Sequence, residues 1–224
     1  MLPRIEIGRA QVPGGGGELR LIRRGSEFSI MLGSNELMNS RISASEKALA
    51  DLACDRIAGR ERARLLIGGF GMGFTLRAAL AKLGPRAEVV VAELVPAVVA
   101  WARGPMAELS GKSLADPRVT IVEGDVAELI AGARSEFDAI LLDVDNGPDG
   151  LTRAGNDRLY SAEGLGLAKA ALRPGGILGI WSAAPDKVFA QRLSRAGYAV
   201  EEVVLRAKAS GKGLRHILWF ARGP

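Results

Sequence analysis

Cysteine is almost missing from this chain of 224 residues: Cys54 stands alone. A single thiol closes no internal disulfide, so burial has to hold the fold, and this length buries an ordinary core without metals or staples. Cys54 falls in the apolar-periodic run "SASEKALADLACDRIAG", where it reads as a packed helix residue. Aromatic residues are scarce as well, at 5% of the chain, which leaves few platforms for stacking bases. That scarcity argues against a nucleic-acid partner despite a formal charge of +5, and the basic clusters "LRLIRRG", "RERAR" and "RAKASGKGLRH" read as solvated surface. Long apolar runs are absent too. The most hydrophobic stretch, "EVVVAELVPAVVAWA", is broken by Glu93 and Pro96 before it spans a bilayer, and Arg4 and Glu6 stand where a signal peptide needs its apolar core. A cytoplasmic protein with no membrane partner is expected. The one histidine, His216, sits among polar neighbours in a strand-like run and receives no catalytic role.

What is present is a strict alternation of two kinds of segment. Residues 18–38 alternate apolar and polar positions around Arg24, Gly25 and Ser26, which predicts a β-hairpin with a short third strand. Ser43 or Ser45 then caps a helix to about Ile57, with Glu46 in its first turn. The chain divides into an N-terminal β appendage over 1–42 and a larger domain over 43–224. In that domain the strands "ARLLIG", "AEVVVAE", "RVTIVEG", "FDAILLD" and "GGILGIWS" are each followed by a helix, over 74–83, 96–103, 125–132, 161–172 and 186–196. Such wholly apolar runs suit strands buried on both faces of a parallel sheet. The expected fold is α/β, a doubly wound, Rossmann-like, mostly parallel seven-stranded sheet. Its last strand turns back antiparallel, because the two runs of "YAVEEVVLRAKASGKGLRHILWFARG" have no helix between them.

The first strand of the alternation opens on "GGFGMG". A strand, a glycine turn and a helix N-terminus bring backbone N–H groups and the positive end of a helix dipole together. The dinucleotide fingerprint G-x-G-x-x-G would need a third glycine at Phe74, so NAD and FAD fit poorly, and no Lys-Ser/Thr pair makes a phosphate loop. The pattern present is Gly69-x-Gly71-x-Gly73, followed by Glu93 at the end of the second strand. A carboxylate there accepts both hydroxyls of a ribose while the loop passes beneath the rest of a nucleoside. Asp125 ends the third strand, in position to accept from an adenine amine or to cap the next helix. Asp143 ends the fourth, with Asp145, Asn146 and Asp149 following. Acids ending neighbouring strands lie where open α/β sheets bind ligands.

These residues resemble the class I S-adenosylmethionine-dependent methyltransferase superfamily, and within it the spermidine-synthase-like branch. The resemblance covers residues 18–221 through "GGFGMG", Glu93, "GDV", "LLDVDNGP", "RLYSAEGLGLAKAALRPGGIL" and the antiparallel last strand. It implies that Gly69, Gly71 and Gly73 line the methionine end of the donor, Glu93 the ribose, and Asp125 with Val126 the adenine, while Asp143 faces the reacting centre. Spermidine synthases carry an acid inside the loop, in "GGGDGG", that contacts the aminopropyl amine, and the matching position here is Gly71. Their Tyr-His-Glu element has at most its glutamate matched, by Glu46.

The donor is a sulfonium in either case, and displacement at its adjacent carbon needs alignment more than acid–base power. Asp143 would orient the nucleophile and take its proton, Asp145 or Asp149 would hold ammonium groups, and Tyr160 with Trp181 would wall the pocket or pack in the core. With the loop acid missing, space is left for a donor carboxylate. The leading expectation is therefore an S-adenosylmethionine-dependent methyltransferase acting on a small amine or hydroxyl compound. An aminopropyltransferase using decarboxylated S-adenosylmethionine comes second, ahead of a nucleic-acid methyltransferase, and a non-catalytic nucleoside-binding protein is the remaining class. No metal is expected, and the appendage offers strands through which a homodimer would pair.

Overall fold

A computed structural model describes residues 2–144, 157–206 and 215–223. The chain opens with β1 (Ile5–Gln11), β2 (Glu18–Arg24), β3 (Glu27–Leu32) and β4 (Asn35–Asn39), an antiparallel sheet in that spatial order. The hairpin expected around Gly25 is there, with Arg24 opposite Glu27. The strand β1 is an addition to the expected appendage. Its alternation is interrupted at Gly8, where the register with β2 shifts, and a Cβ there would lie 2.5 Å from the indole nitrogen of Trp101.

The larger sheet follows. Its elements are α1 (Ala44–Arg56), β5 (Arg64–Gly68), α2 (Phe74–Lys82), β6 (Glu88–Glu93), α3 (Pro96–Arg103), α4 (Ala107–Ser110), β7 (Val119–Glu123), α5 (Val126–Gly132) and β8 (Phe137–Leu142). After them come α6 (Asp157–Tyr160), α7 (Ala162–Ala171), β9 (Leu172–Ser182), α8 (Lys187–Arg195), β10 (Ala199–Arg206) and β11 (Arg215–Arg222). The spatial order is β10-β11-β9-β8-β5-β6-β7, parallel from β9 to β7. As expected, the last strand reverses: β11 lies between β9 and β10 and is antiparallel to both. The six residues of β8 are all buried, which is why its sequence carries no polar alternation.

Strand order reverses about β5, with β6 and β7 on one side and β8 and β9 on the other. A crevice therefore opens at the carboxyl edge beside β5, the place where such sheets bind ligands. One apolar cluster, on the face that carries Leu65, Ala139 and Leu141, joins Leu21 and Ile30 of the N-terminal sheet to Leu49 of α1 and to Phe70 and Met72 of the glycine loop. The small sheet thus closes over the crevice through a shared core. The opposite face holds Ile140, Tyr160, Phe189 and Trp219. At the amino edge, far from the crevice, the buried carboxylate of Asp138 accepts from Arg60, from the Arg64 backbone N–H at 2.7 Å and from Arg173 at 2.8 Å. Among the described residues, no helix is long and apolar enough to cross a membrane.

Candidate active site

Backbone pairing continues one residue beyond the strands and sets the floor of the crevice. The Asp143 N–H donates to the Gly68 carbonyl at 3.0 Å, Gly69 to Ala92 at 2.8 Å, and Gly124 to Glu93 at 2.9 Å. Gly69 has φ +87°, and a Cβ on it would lie 2.5 Å from the Asp143 carbonyl oxygen. Only glycine lets the loop cross so close to β8.

Glu93 fastens that loop. Its Oε2 accepts from the Phe70 N–H and its Oε1 from the Val95 N–H, both at 2.9 Å, in a site where the residue is 7% exposed. Burial pushes its carboxyl above the ordinary range, and these backbone donors oppose the shift. Asp125 caps α5, accepting from the Ala127 N–H at 2.9 Å.

Asp143 is half-buried, and Thr75, in the first turn of α2, donates its hydroxyl to Oδ2 at 2.6 Å. Burial above all, then the charge of Glu46, pushes the Asp143 carboxyl up to about 7, while the Thr75 bond opposes the rise. Glu46, reaching in from α1, is itself raised by burial. Behind it, the Ser45 hydroxyl lies 2.7 Å from Glu46 Oε2 and 2.7 Å from His216 Nδ1. His216 stands edge-on to Trp181, with ring centroids 4.8 Å apart.

Of the residues singled out in the sequence, Gly69, Gly71, Glu93, Asp125, Val126 and Asp143 all line one cavity, together with Glu46 and Trp181. Two others do not reach its wall. Gly73 closes the loop turn instead, donating its N–H to Phe70 at 2.8 Å. Tyr160 is 1% exposed and packs edge-on against Phe189 in the core of the opposite sheet face, so it does not wall the cavity. Asp145, Asn146 and Asp149 lie outside the described residues. Neither serine caps α1 through its side chain: Ser43 stands at the N-cap without a side-chain bond, and Ser45, inside the helix, points its hydroxyl to Glu46 and His216. Thr75 and His216 carry no local signal, since Asp143 and Ser45, their partners, are reached only by tertiary contact.

An open α/β sheet with a glycine loop after β5 and acids ending β6, β7 and β8 has the fold of the S-adenosylmethionine-dependent methyltransferases. More narrowly, residues 45–192 match the spermine/spermidine synthase domain, and the chain belongs to that family. It is 34% identical over 155 residues to polyamine aminopropyltransferase 1 of Streptomyces coelicolor, covering 66% of this chain and 28% of that protein. With the polyamine aminopropyltransferase of Mycobacterium tuberculosis the identity is 30% over 192 residues, covering 82% of this chain and 35% of that protein. The chain thus spans about a third of the length of these relatives. Among solved structures, spermidine synthase from Thermotoga maritima superposes with a TM-score of 0.78 at 19% identity, over 98% of this chain and 73% of that one. A spermidine synthase complex with the transition-state analogue AdoDATO gives 0.75 at 19% identity, over 98% and 72%.

These likenesses overturn the expectation of methyl transfer from intact S-adenosylmethionine and favour the aminopropyl alternative. A missing loop acid is therefore not a sign of methyl transfer in this chain, and the position beside Gly71 is met by another residue: a Cβ there would lie 2.9 Å from the Met38 sulfur. Met38 comes from β4, which the glycine loop alone gives no means of anticipating.

Proposed function

We propose that the chain transfers an aminopropyl group from decarboxylated S-adenosylmethionine to an amine. The observation that carries the proposal is the Asp143 carboxyl, raised to about 7 beside Glu46 in a cavity floored by the glycine loop, in a chain of this family. A base with that affinity for protons is suited to an amine nucleophile near neutrality. The amine nitrogen attacks the carbon next to the sulfonium. An N–C bond forms as the C–S bond breaks, its electron pair returns to sulfur to give the neutral thioether methylthioadenosine, and the proton of the amine passes to Asp143.

Glu93 and Asp125 hold the ribose and adenine in this reading, with Val126 against the base and Gly69 and Gly71 beneath the aminopropyl chain. Four acidic side chains line the cavity, Glu46, Glu93, Asp125 and Asp143, and they favour a donor that has lost its carboxylate. The test is incubation with decarboxylated S-adenosylmethionine and short aliphatic amines, followed by mass spectrometry. Methylthioadenosine and an aminopropylated amine are expected in equal amounts. Donor binding with no thioether released from any amine would overturn the proposal. Asp143→Asn is expected to bind donor and lose turnover by at least about 100-fold.

A further inference from the structure

Each turnover written above leaves one proton from the amine on Asp143, in a cavity that Glu46 also lines, and that proton has to reach water before the next. On the Asp143 side the hydrogen-bonded neighbour among the described residues is Thr75, 3% exposed, whose hydroxyl leads back into the protein. On the Glu46 side the path continues. Ser45 is fully buried, and its hydroxyl oxygen lies 2.7 Å from Glu46 Oε2 and 2.7 Å from His216 Nδ1, joining α1 to a strand 171 residues further along the chain. A serine hydroxyl has one proton and two lone pairs, so between a carboxyl oxygen and a ring nitrogen it accepts from one and donates to the other.

We infer that Ser45 and His216 form a proton exit from the cavity through Glu46, an inference that rests on the aminopropyl-transfer reading; the proton left on Asp143 reaches Glu46 through the cavity that both line, returning Asp143 to a carboxylate and leaving Glu46 an acid. With Nδ1 bare, the acid proton of Glu46 passes to Ser45 Oγ as the serine's own proton passes to Nδ1. Carboxylate, hydroxyl and imidazolium result, with charge and protons conserved. The half-exposed ring then releases a proton to water. Burial holds the imidazole below its ordinary pKa, so it starts neutral and gives up the proton readily. The ring is faced by Trp181 from β9 and by Ser45 from α1, with Glu46 behind Ser45, and His216 lies opposite Leu205 of β10; the adjacent Arg215 lies opposite Arg206 in the strand register. Ser45 and His216 are positioning and relay residues, since neither lines the cavity.

His216→Asn tests the relay, because an amide oxygen still accepts from the Ser45 hydroxyl but takes up no proton. We expect kcat to fall about tenfold with the donor KM unchanged, and added imidazole to restore much of the loss. Wild-type kcat in this variant, or a loss that imidazole leaves untouched, would overturn the inference. His216 is the only histidine of the chain, so its ring signals in an NMR titration are unambiguous and report independently of turnover. Glu46→Gln is expected to lower the pKa of His216 measurably, through loss of the negative end of the path. An unchanged His216 titration would overturn the coupling even if aminopropyl transfer proceeds. A shifted titration in a protein that transfers nothing would retire the aminopropyl reading and leave the Glu46–Ser45–His216 link standing.

Discussion

At the scale of single residues, Glu93 and Thr75 each tie a chemical group to the backbone that presents it. Replacing Glu93 by alanine removes the acceptor of two buried N–H groups, Phe70 and Val95, each costing about 1–3 kcal/mol when left unpaired. Glu93→Ala is therefore expected to unfold at lower urea concentration and to bind donor at least about tenfold more weakly, by calorimetry. Full stability with full affinity would refute its role as the fastener of the loop. Thr75→Val deletes a hydrogen bond that favours ionised Asp143, at 2.6 Å. A bond to a charged group contributes about 1.5–3 kcal/mol, so the acid limb of the rate profile should move up by about one to two pH units.

At the scale of elements, α5 separates two roles that one residue combines. Asp125 accepts from Ala127 as the N-cap of α5 and also lines the cavity. Asp125→Ala loses the cap and should cost about 1 kcal/mol, whereas Asp125→Ser keeps a capping oxygen and should leave stability within a few tenths of that of wild type. Both variants lose donor affinity if the carboxylate holds the adenine amine. Equal affinity for donor in wild type and Asp125→Ser would assign the residue to the helix alone. The β5 to α2 turn is bound just as tightly by geometry: Gly69→Ala places a methyl group 2.5 Å from the Asp143 carbonyl at φ +87°, and the strain of about 1–3 kcal/mol should register as a lower melting temperature.

At the scale of the whole molecule, the reacting carboxyl is a stability defect. The Asp143 carboxyl stands at about 7 in the folded chain against 3.8 in the unfolded one, so the folded state binds the extra proton. Its contribution is intact below about pH 4, declines as the pH rises through about 7, and stays lost above it. Wild type should accordingly become easier to denature between pH 5 and pH 8. Asp143→Asn, which holds no charge to bury, should flatten that slope and be the more stable of the two at pH 8. A steeper slope in the variant would show that the group is not held in its neutral form.

Much of this protein is legible in the linear order of its residues. Apolar runs of strand length, alternating with helical segments, determine a parallel α/β sheet, because burial on both faces leaves no room for polar alternation. The same runs end at Gly69, Glu93, Asp125 and Asp143, and strands of one direction bring their carboxyl ends to one edge, so the candidate site follows from topology. What only the tertiary structure decided is which side chains meet across that edge. Met38 fills the space beside Gly71, Tyr160 turns into the far core, and Ser45 joins Glu46 to His216 across 171 residues of chain. Such contacts arise from the packing of the small sheet and of α1 against the larger one, and no spacing along the chain encodes a neighbour that a different fold would have placed elsewhere.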